Sequence, residues 1–308
     1  KKLVTGAAGF IGFHLCKRLL KEGIEVIGID NINEYYDQKL KFSRINILEE
    51  ISKESKTNFK FIRADLEDKE VINATFEEYK PDIVINLAAQ AGVRYSIENP
   101  DAYINGNLVG FGNILEACRK TRVSHLIYAS SSSVYGGNKE MPFSTKQRVD
   151  NPISLYAASK KSSELIAECY SHLFNIQCIG LRFFTVYGPW GRPDMALFKF
   201  AKSIINNKKI NIFNKGKHER DFTYIDDIVN GIEKIGNSIP KGNKKWNPKK
   251  PNPSFSKYPY QIYNIASDRK VKLTKYLDIL EKKLNMKAKI KYLPLQKGDV
   301  PDVRSSIK

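Results

Sequence analysis

An α/β fold, built as a doubly wound parallel sheet followed by a smaller C-terminal α/β lobe, is what this 308-residue chain predicts. Three observations carry the prediction. Short β-branched runs alternate with longer amphipathic runs through residues 1–183, the pattern of a parallel sheet covered by helices on both faces. The first such run passes directly into a glycine-rich turn that opens an amphipathic segment. From residue 184 onward the texture changes to Gly- and Pro-rich loops separating short elements, which fits a substrate-binding lobe over 184–308 from which some chain returns to the first domain.

Six strands are expected in the main sheet, at 2–5, 25–29, 59–63, 83–87, 125–129 and 177–183. Helices are expected between them near 10–22, 68–79, 101–120 and 152–174, each with apolar residues at three- and four-residue spacings. The lobe should add short helices near 194–207, 226–236 and 274–285, with small strands near 210–213, 261–265 and 289–292. Residues 240–259 carry several Pro and Asn residues and six Lys, and read as a basic surface loop.

With 42% hydrophobic residues the chain can bury a sizeable core. Its 51 Lys and Arg against 33 Asp and Glu give a net charge of +18. The lysines are spread over helix faces and the 240–259 loop, which fits a solvated surface that attracts small anions better than a nucleic-acid groove. Cys16, Cys118, Cys169 and Cys178 lie far apart within apolar patterns and read as four buried thiols. Four scattered histidines, His14, His125, His172 and His218, give no support to a metal site or a Ser-His-Asp triad. No apolar run reaches the roughly eighteen residues of a membrane span, and the N-terminus opens on Lys1-Lys2-Leu3-Val4 without a signal core. A soluble, cytoplasmic protein with no membrane partner is the expectation.

The turn is Gly6-Ala7-Ala8-Gly9-Phe10-Ile11-Gly12. Glycines there permit a tight reversal and let backbone N–H groups approach a pyrophosphate, which the positive end of the following helix also attracts. Asp30 ends the second strand, 18 residues beyond Gly12. Its carboxylate can accept from both ribose hydroxyls and would repel a 2′-phosphate, so the expected cofactor is NAD rather than NADP.

Tyr156 and Lys160, in Tyr156-Ala157-Ala158-Ser159-Lys160, fall one helical turn apart on one face and can share a pocket. A phenol of pKa about 10 is a poor base at neutral pH, but a nearby ammonium favours its ionised form. Upstream, the fifth strand ends in Ala129-Ser130-Ser131-Ser132-Ser133-Val134-Tyr135-Gly136, placing hydroxyls at the carboxyl edge of the sheet. Ser131 can there complete a proton-transfer arrangement with Tyr156.

Taken together, the Gly6–Gly12 turn, Asp30, Asp65-Leu66, Leu87-Ala88-Ala89-Gln90, Asn107, the serine run and the Tyr156/Lys160 pair resemble the extended short-chain dehydrogenase/reductase family over nearly the whole chain. The resemblance implies a Rossmann domain, with Asp30 and Asn31 at the adenosine ribose and Asp65 and Leu66 at adenine. It also implies that Leu87, Ala88, Ala89, Gln90 and Asn107 lie near the nicotinamide half and that Phe183 borders the ring. A homodimer through the helices near 101–120 and 152–174 is implied as well.

Dehydratases of this family carry a Thr-Asp-Glu pattern after the fifth strand, and its nucleotide-sugar decarboxylases a Thr-Ser-Glu pattern. This chain has Ser131-Ser132-Ser133, with no carboxyl group to assist elimination, so hydride removal and return alone is expected. Segments 90–96 and 182–195 resemble those of UDP-glucuronate 4-epimerases, and Thr185 replaces the Asn common in UDP-glucose 4-epimerases. The resemblance implies that Ser132 and Ser133 face the sugar carboxylate and that Arg192 and Arg220 bind the UDP-sugar, Arg220 at its diphosphate, with Arg94 a further candidate. Epimerisation of UDP-glucose or UDP-N-acetylglucosamine, decarboxylation of UDP-glucuronate, and a non-catalytic NAD sensor stay open as alternatives.

Overall fold

The computed structural model describes residues 1–295 and 303–306. The N-terminal half alternates as expected except for one unanticipated helix, α2: β1 (Lys2–Thr5), α1 (Phe10–Lys21), β2 (Val26–Asp30), α2 (Gln38–Glu54), β3 (Phe59–Arg63), α3 (Lys69–Tyr79) and β4 (Ile83–Asn86). Two single-turn helices, α4 (Tyr95–Glu98) and α5 (Asp101–Ile104), lead through a π-helical stretch at Asn105–Val109 into α6 (Gly110–Thr121). Then come β5 (His125–Ser131), a 3₁₀ turn at Ser132–Tyr135, α7 (Leu155–Phe174) and β6 (Cys178–Phe183). The remainder supplies β7 (Thr185–Tyr187), α8 (Ala196–Ile205), β8 (Lys209–Ile212), β9 (Glu219–Tyr224), α9 (Ile225–Gly236), β10 (Tyr260–Ile265), β11 (Lys270–Lys272), α10 (Leu273–Leu284) and β12 (Lys289–Tyr292).

Seven strands, one more than expected, form the main sheet in the order β10-β6-β5-β4-β1-β2-β3, all parallel. The added one is β10, which the sequence suggested for the lobe and which instead pairs with β6 from Tyr260↔Cys178 to Ile265↔Phe183. The order of strands reverses between β1 and β4, so the helices after these two strands leave on opposite faces and a crevice opens at their carboxyl ends. Apolar clusters fill both faces of the sheet, one centred on α1, α2 and α9 and one on α3, α6 and α7. β1, β2 and β6 are buried along their length, as strands covered on both sides must be.

Helix starts follow local chemistry. The side chains of Asp37, Asp68 and Ser154 accept hydrogen bonds from the first turns of α2, α3 and α7. Under α7 lies a buried ion pair, in which Arg182 on β6 donates from Nε and Nη2 to Glu164 at 2.8 and 2.9 Å, and Ser130 donates to the same carboxylate at 2.7 Å. That bidentate pair fixes α7 against β5 and β6. Cys16, Cys118 and Cys178 are buried, but Cys169 is exposed, because it shares the outer face of α7 with Leu165, one turn earlier.

Two smaller sheets build the lobe. β11-β9-β7 is mixed, β12-β8 is parallel, and a separate apolar cluster joins α8, α10 and the second sheet. Among the described residues no helix is long and apolar enough to cross a membrane.

Candidate active site

At the β1/β4 reversal lies a cleft of ≈ 930 Å³. Gly6 leaves β1 at φ +71, in the left-handed region that only glycine enters freely. A Cβ on Gly12 would stand 2.0 Å from the Gly6 carbonyl oxygen, so α1 can begin against this turn only with glycine there. The residue capping α1 is Gly9, which has no side chain to bond the first turn, and Gly6, Gly9, Phe10, Ile11 and Gly12 all line the cleft. The result is a helix N-terminus facing a cavity, favourable to an anion.

Asp30 closes one end of the cleft. Its carboxylate accepts from Ile32 N–H at 2.9 Å and Ala8 N–H at 3.1 Å, using one lone pair on each oxygen and leaving others for hydroxyl donors. Burial raises its pKa, against the Ile32 N–H, Lys41, the Ala8 N–H and Arg44, which all lower it. Asn31, Asp65, Leu66, Leu87, Ala88, Ala89 and Gln90 line the same cleft, and Asn31 donates to Asp65 at 2.9 Å. Asn107 does not line it. On the π-helical stretch, Asn107 accepts from Gln90 N–H at 2.8 Å and donates to Gln90 O at 3.1 Å and Ser159 Oγ at 3.0 Å. It braces the Gln90 backbone from behind, since both ends of its amide are taken up by that loop and by α7.

At the opposite end stand Ser131, Ser132, Ser133, Tyr156, Lys160, Phe183, Thr185 and Arg192. Tyr156 and Lys160 project from the first turns of α7. Burial raises the Tyr156 pKa, while a hydrogen bond with Ser131 and the Arg192 charge lower it. Burial alone pulls Lys160 down to about 8, and its Nζ donates to Ala129 O on β5 at 2.9 Å. The sequence suggested Lys160 as the cation tuning Tyr156; its ammonium is bonded to β5 through Ala129 O, and the Arg192 charge also lowers the Tyr156 pKa. Ser131 Oγ also accepts from Ser133 N–H at 3.1 Å, which holds the serine turn.

Arg192 belongs to the loop after β7. It binds Asp194 in bidentate fashion, with Nε at 3.0 Å from Oδ1. A smaller cleft of ≈ 170 Å³ shares Ser132, Ser133 and Thr185 with the large one and is also lined by Arg220 on β9. The acids flanking Arg220 are engaged elsewhere, Glu219 with Lys270 at 3.0 Å and Asp221 with the Ser267 N–H and hydroxyl. Arg94 lines neither cleft, and its guanidinium lies 4.8 Å over the Phe213 ring. Tyr35, Tyr36, Lys41, Tyr95 and Met195 line the large cleft without having been singled out from the sequence. The Tyr35-Tyr36 pair, one residue after the Asp30-Asn31-Ile32-Asn33 stretch at the end of β2, was the available signal for the first two. Among the described residues no group of His, Cys, Asp or Glu side chains could hold a metal ion.

The model of the NAD dependent epimerase/dehydratase family matches residues 2–247. The chain belongs to that family. NAD is therefore its cofactor, and the cleft fits it: a helix N-terminus for the pyrophosphate, a buried carboxylate for the ribose, and Leu66 and Ala88 as apolar walls all line one cavity. This epimerase/dehydratase chain is 52% identical over 307 residues to Protein CapI of Staphylococcus aureus, spanning 100% of this chain and 90% of that protein. It is 45% identical over 300 residues to the probable UDP-glucuronate 4-epimerase of Rhizobium meliloti (strain 1021), spanning 97% and 86%. The crystal structure of Bacillus cereus UDP-glucuronic acid 4-epimerase in complex with UDP-glucuronic acid and NAD matches with a TM-score of 0.85 at 32% identity, over 99% of this chain and 90% of that one.

Proposed function

We propose that this NAD-dependent nucleotide-sugar 4-epimerase interconverts UDP-glucuronate and UDP-galacturonate. The observation that carries the reading is the carboxylate-free turn Ser131-Ser132-Ser133 beside Tyr156, with Thr185 and Arg192 across the same cleft. Likeness to the Rhizobium meliloti and Bacillus cereus proteins supports the uronate as the sugar.

NAD, when bound, would supply reversible hydride acceptance at C4. The protein's own task is the proton. Tyr156 phenolate takes the C4 hydroxyl proton, and Ser131, whose hydroxyl lowers the Tyr156 pKa and lines the same cleft, relays or holds it. Arg192 stabilises the phenolate by its charge. After the 4-keto sugar turns over, Tyr156 returns the proton to the C4 oxygen as hydride is added to the opposite face of C4, which inverts that centre. Lys160, anchored on Ala129 O, presents its ammonium to the nicotinamide ribose. Asp30, Asn31, Asp65, Leu66 and the 87–90 loop hold the rest of the cofactor, with Asn107 setting the loop and Phe183 at the ring.

A uronate oxidised at C4 is a β-keto acid, prone to lose carbon dioxide when its carboxylate bond aligns with the carbonyl π system. Ser132 and Ser133 hold the carboxylate out of that alignment. Arg220 binds the diphosphate from the smaller cleft. A homodimer is part of the same reading, supported by the exposed Val109, Leu165, Leu173 and Phe174 on the π-helical stretch and α7; sedimentation giving a monomer would remove it.

NMR of the products after incubation with UDP-glucuronate tests the function directly. UDP-galacturonate is expected, with recovered NAD unchanged in amount. Carbon dioxide with a UDP-pentose as main products, or turnover of UDP-glucose alone, would overturn the assignment. Cofactor choice has its own check. Asp30→Ala is expected to weaken NAD binding by roughly 10–100-fold, the worth of charged hydrogen bonds to the ribose, while NADP binding improves. Equal NAD affinity of the variant by titration calorimetry would show that Asp30 serves only its two backbone N–H groups.

A further inference from the structure

We propose that Tyr35 and Asp194 form a latch across the cleft that positions Arg192 against the reacting end of the sugar. Both are positioning residues, acting through Arg192, and the inference rests on the reading of Tyr156 as the proton-transfer residue.

Arg192 sits in a segment that cannot fix a long side chain by regular structure. Gly188 has φ +150 and Trp190 has φ +58, so the chain between β7 and α8 turns through left-handed conformations. Order is imposed from outside. Asp194, two residues on, takes both Nε and Nη2 of the guanidinium, the planar fork that defines an arginine's orientation. Asp194 in turn accepts from Tyr35 Oη at 3.2 Å, a residue 159 positions earlier, on the cofactor side of the cleft. The Tyr35 ring lies 5.9 Å from the guanidinium and 5.0 Å from the Tyr95 ring, while Gly92 packs so close to Tyr35 Oη that a Cβ there would stand 2.5 Å away.

The base of the same loop is tied to the cofactor turn. Buried Arg44 donates from Nη2 to Trp190 O and from Nη1 to Ala8 O, the latter at 2.7 Å, and His14 Nε2 lies 2.9 Å from Pro189 O. The loop is thus held at its start by the elements that cradle the pyrophosphate and at its end by Tyr35. Charge states agree with this role. Burial opposes the Asp194 charge, but Arg192 and Tyr35 outweigh it and keep the carboxyl ionised. Burial and Asp194 push the Tyr35 phenol up to about 12, so it stays a proton donor. With Nε and Nη2 committed to Asp194, Nη1 is the edge of Arg192 that can meet an anionic sugar.

A double-mutant cycle on the NAD-loaded enzyme decides the matter. Asp194→Asn alone is expected to lower kcat/KM by about tenfold, mainly through KM, and Tyr35→Phe by about threefold, the range of coupling within one hydrogen-bonded network. In an Arg192→Met background the same two substitutions should change kcat/KM by less than about twofold, because there is nothing left to position. Asp194→Glu should recover part of the loss. Losses of equal size with and without Arg192, or full activity in Asp194→Asn, would overturn the latch. The cycle is run on whichever of UDP-glucuronate and UDP-glucose the wild type turns over. Failure of UDP-glucuronate alone to react strikes the substrate reading and leaves the latch tested on the other sugar.

Discussion

Tyr156→Phe is expected to lower kcat by about 10²–10⁴-fold, the usual worth of one positioned acid–base group, with NAD binding and thermal stability nearly unchanged. Stability should hold because the phenylalanine ring keeps the edge-on contact with Tyr103, at 6.1 Å between centroids. Activity should fall because no neighbouring phenol can stand in. Tyr103 donates to the carbonyls of Ala91 and Gly92, and burial pushes its pKa well up. Tyr35 is committed to Asp194. Tyr156 alone of these three has a hydroxyl, that of Ser131, among the groups that lower its pKa, and a hydroxyl can both donate and accept and so pass a proton onward. Steady-state kinetics with UDP-glucuronate and a binding titration with NAD separate the two effects. A variant that keeps kcat within about threefold of wild type would assign the proton transfer to another group.

What the sequence made legible was whatever is encoded locally. The glycine turn, Asp30 and the Tyr156/Lys160 spacing each lie within one strand-turn-helix unit, so the residues that make the geometry are neighbours in the chain. Buried strands such as β1 and β6 announce themselves as short apolar runs for the same reason. α2 was not legible because its inward side is only partly apolar. Lys41 and Arg44 are buried alongside Ile45, Leu48 and Ile51, which breaks the apolar periodicity that marks an amphipathic helix.

Long-range facts were out of reach. β10 reads as a strand, but its sheet is decided by a partner about eighty residues earlier, which no local pattern specifies. Asn107 looked like a cofactor ligand and turned out to hold a loop, because a motif marks the neighbourhood of a site without saying which side chain reaches into it. Arg94, adjacent to two lining residues, turns away onto Phe213. The Tyr35–Asp194 contact joins segments that nothing in either sequence context associates.

Lys160→Met should make the protein more stable and inactive at once. The wild-type side chain is buried, and burial brings its pKa from 10.5 to about 8. A lysine whose folded-state pKa lies below its unfolded value binds fewer protons when folded, so stability rises as pH climbs from about 8 to about 10.5 and is lowest below 8. At pH 7 the charged group therefore disfavours folding by about 3 kcal/mol, taken from a shift of this size. Its bond to Ala129 O offsets about 1 kcal/mol of what removal would recover. Met fills similar volume without charge, so a net gain on the order of 1–3 kcal/mol in urea unfolding at pH 7 is expected for the NAD-free protein. The gain should shrink toward zero or below as pH rises past 10.5, where the wild-type amine becomes neutral in both states. Turnover should drop by about 10²-fold or more if the ammonium holds the nicotinamide ribose as proposed. A variant less stable than wild type at pH 7 would mean that the cation is structural. The opposite result would show a buried charge kept against stability because the reaction requires it, one turn of α7 from Tyr156.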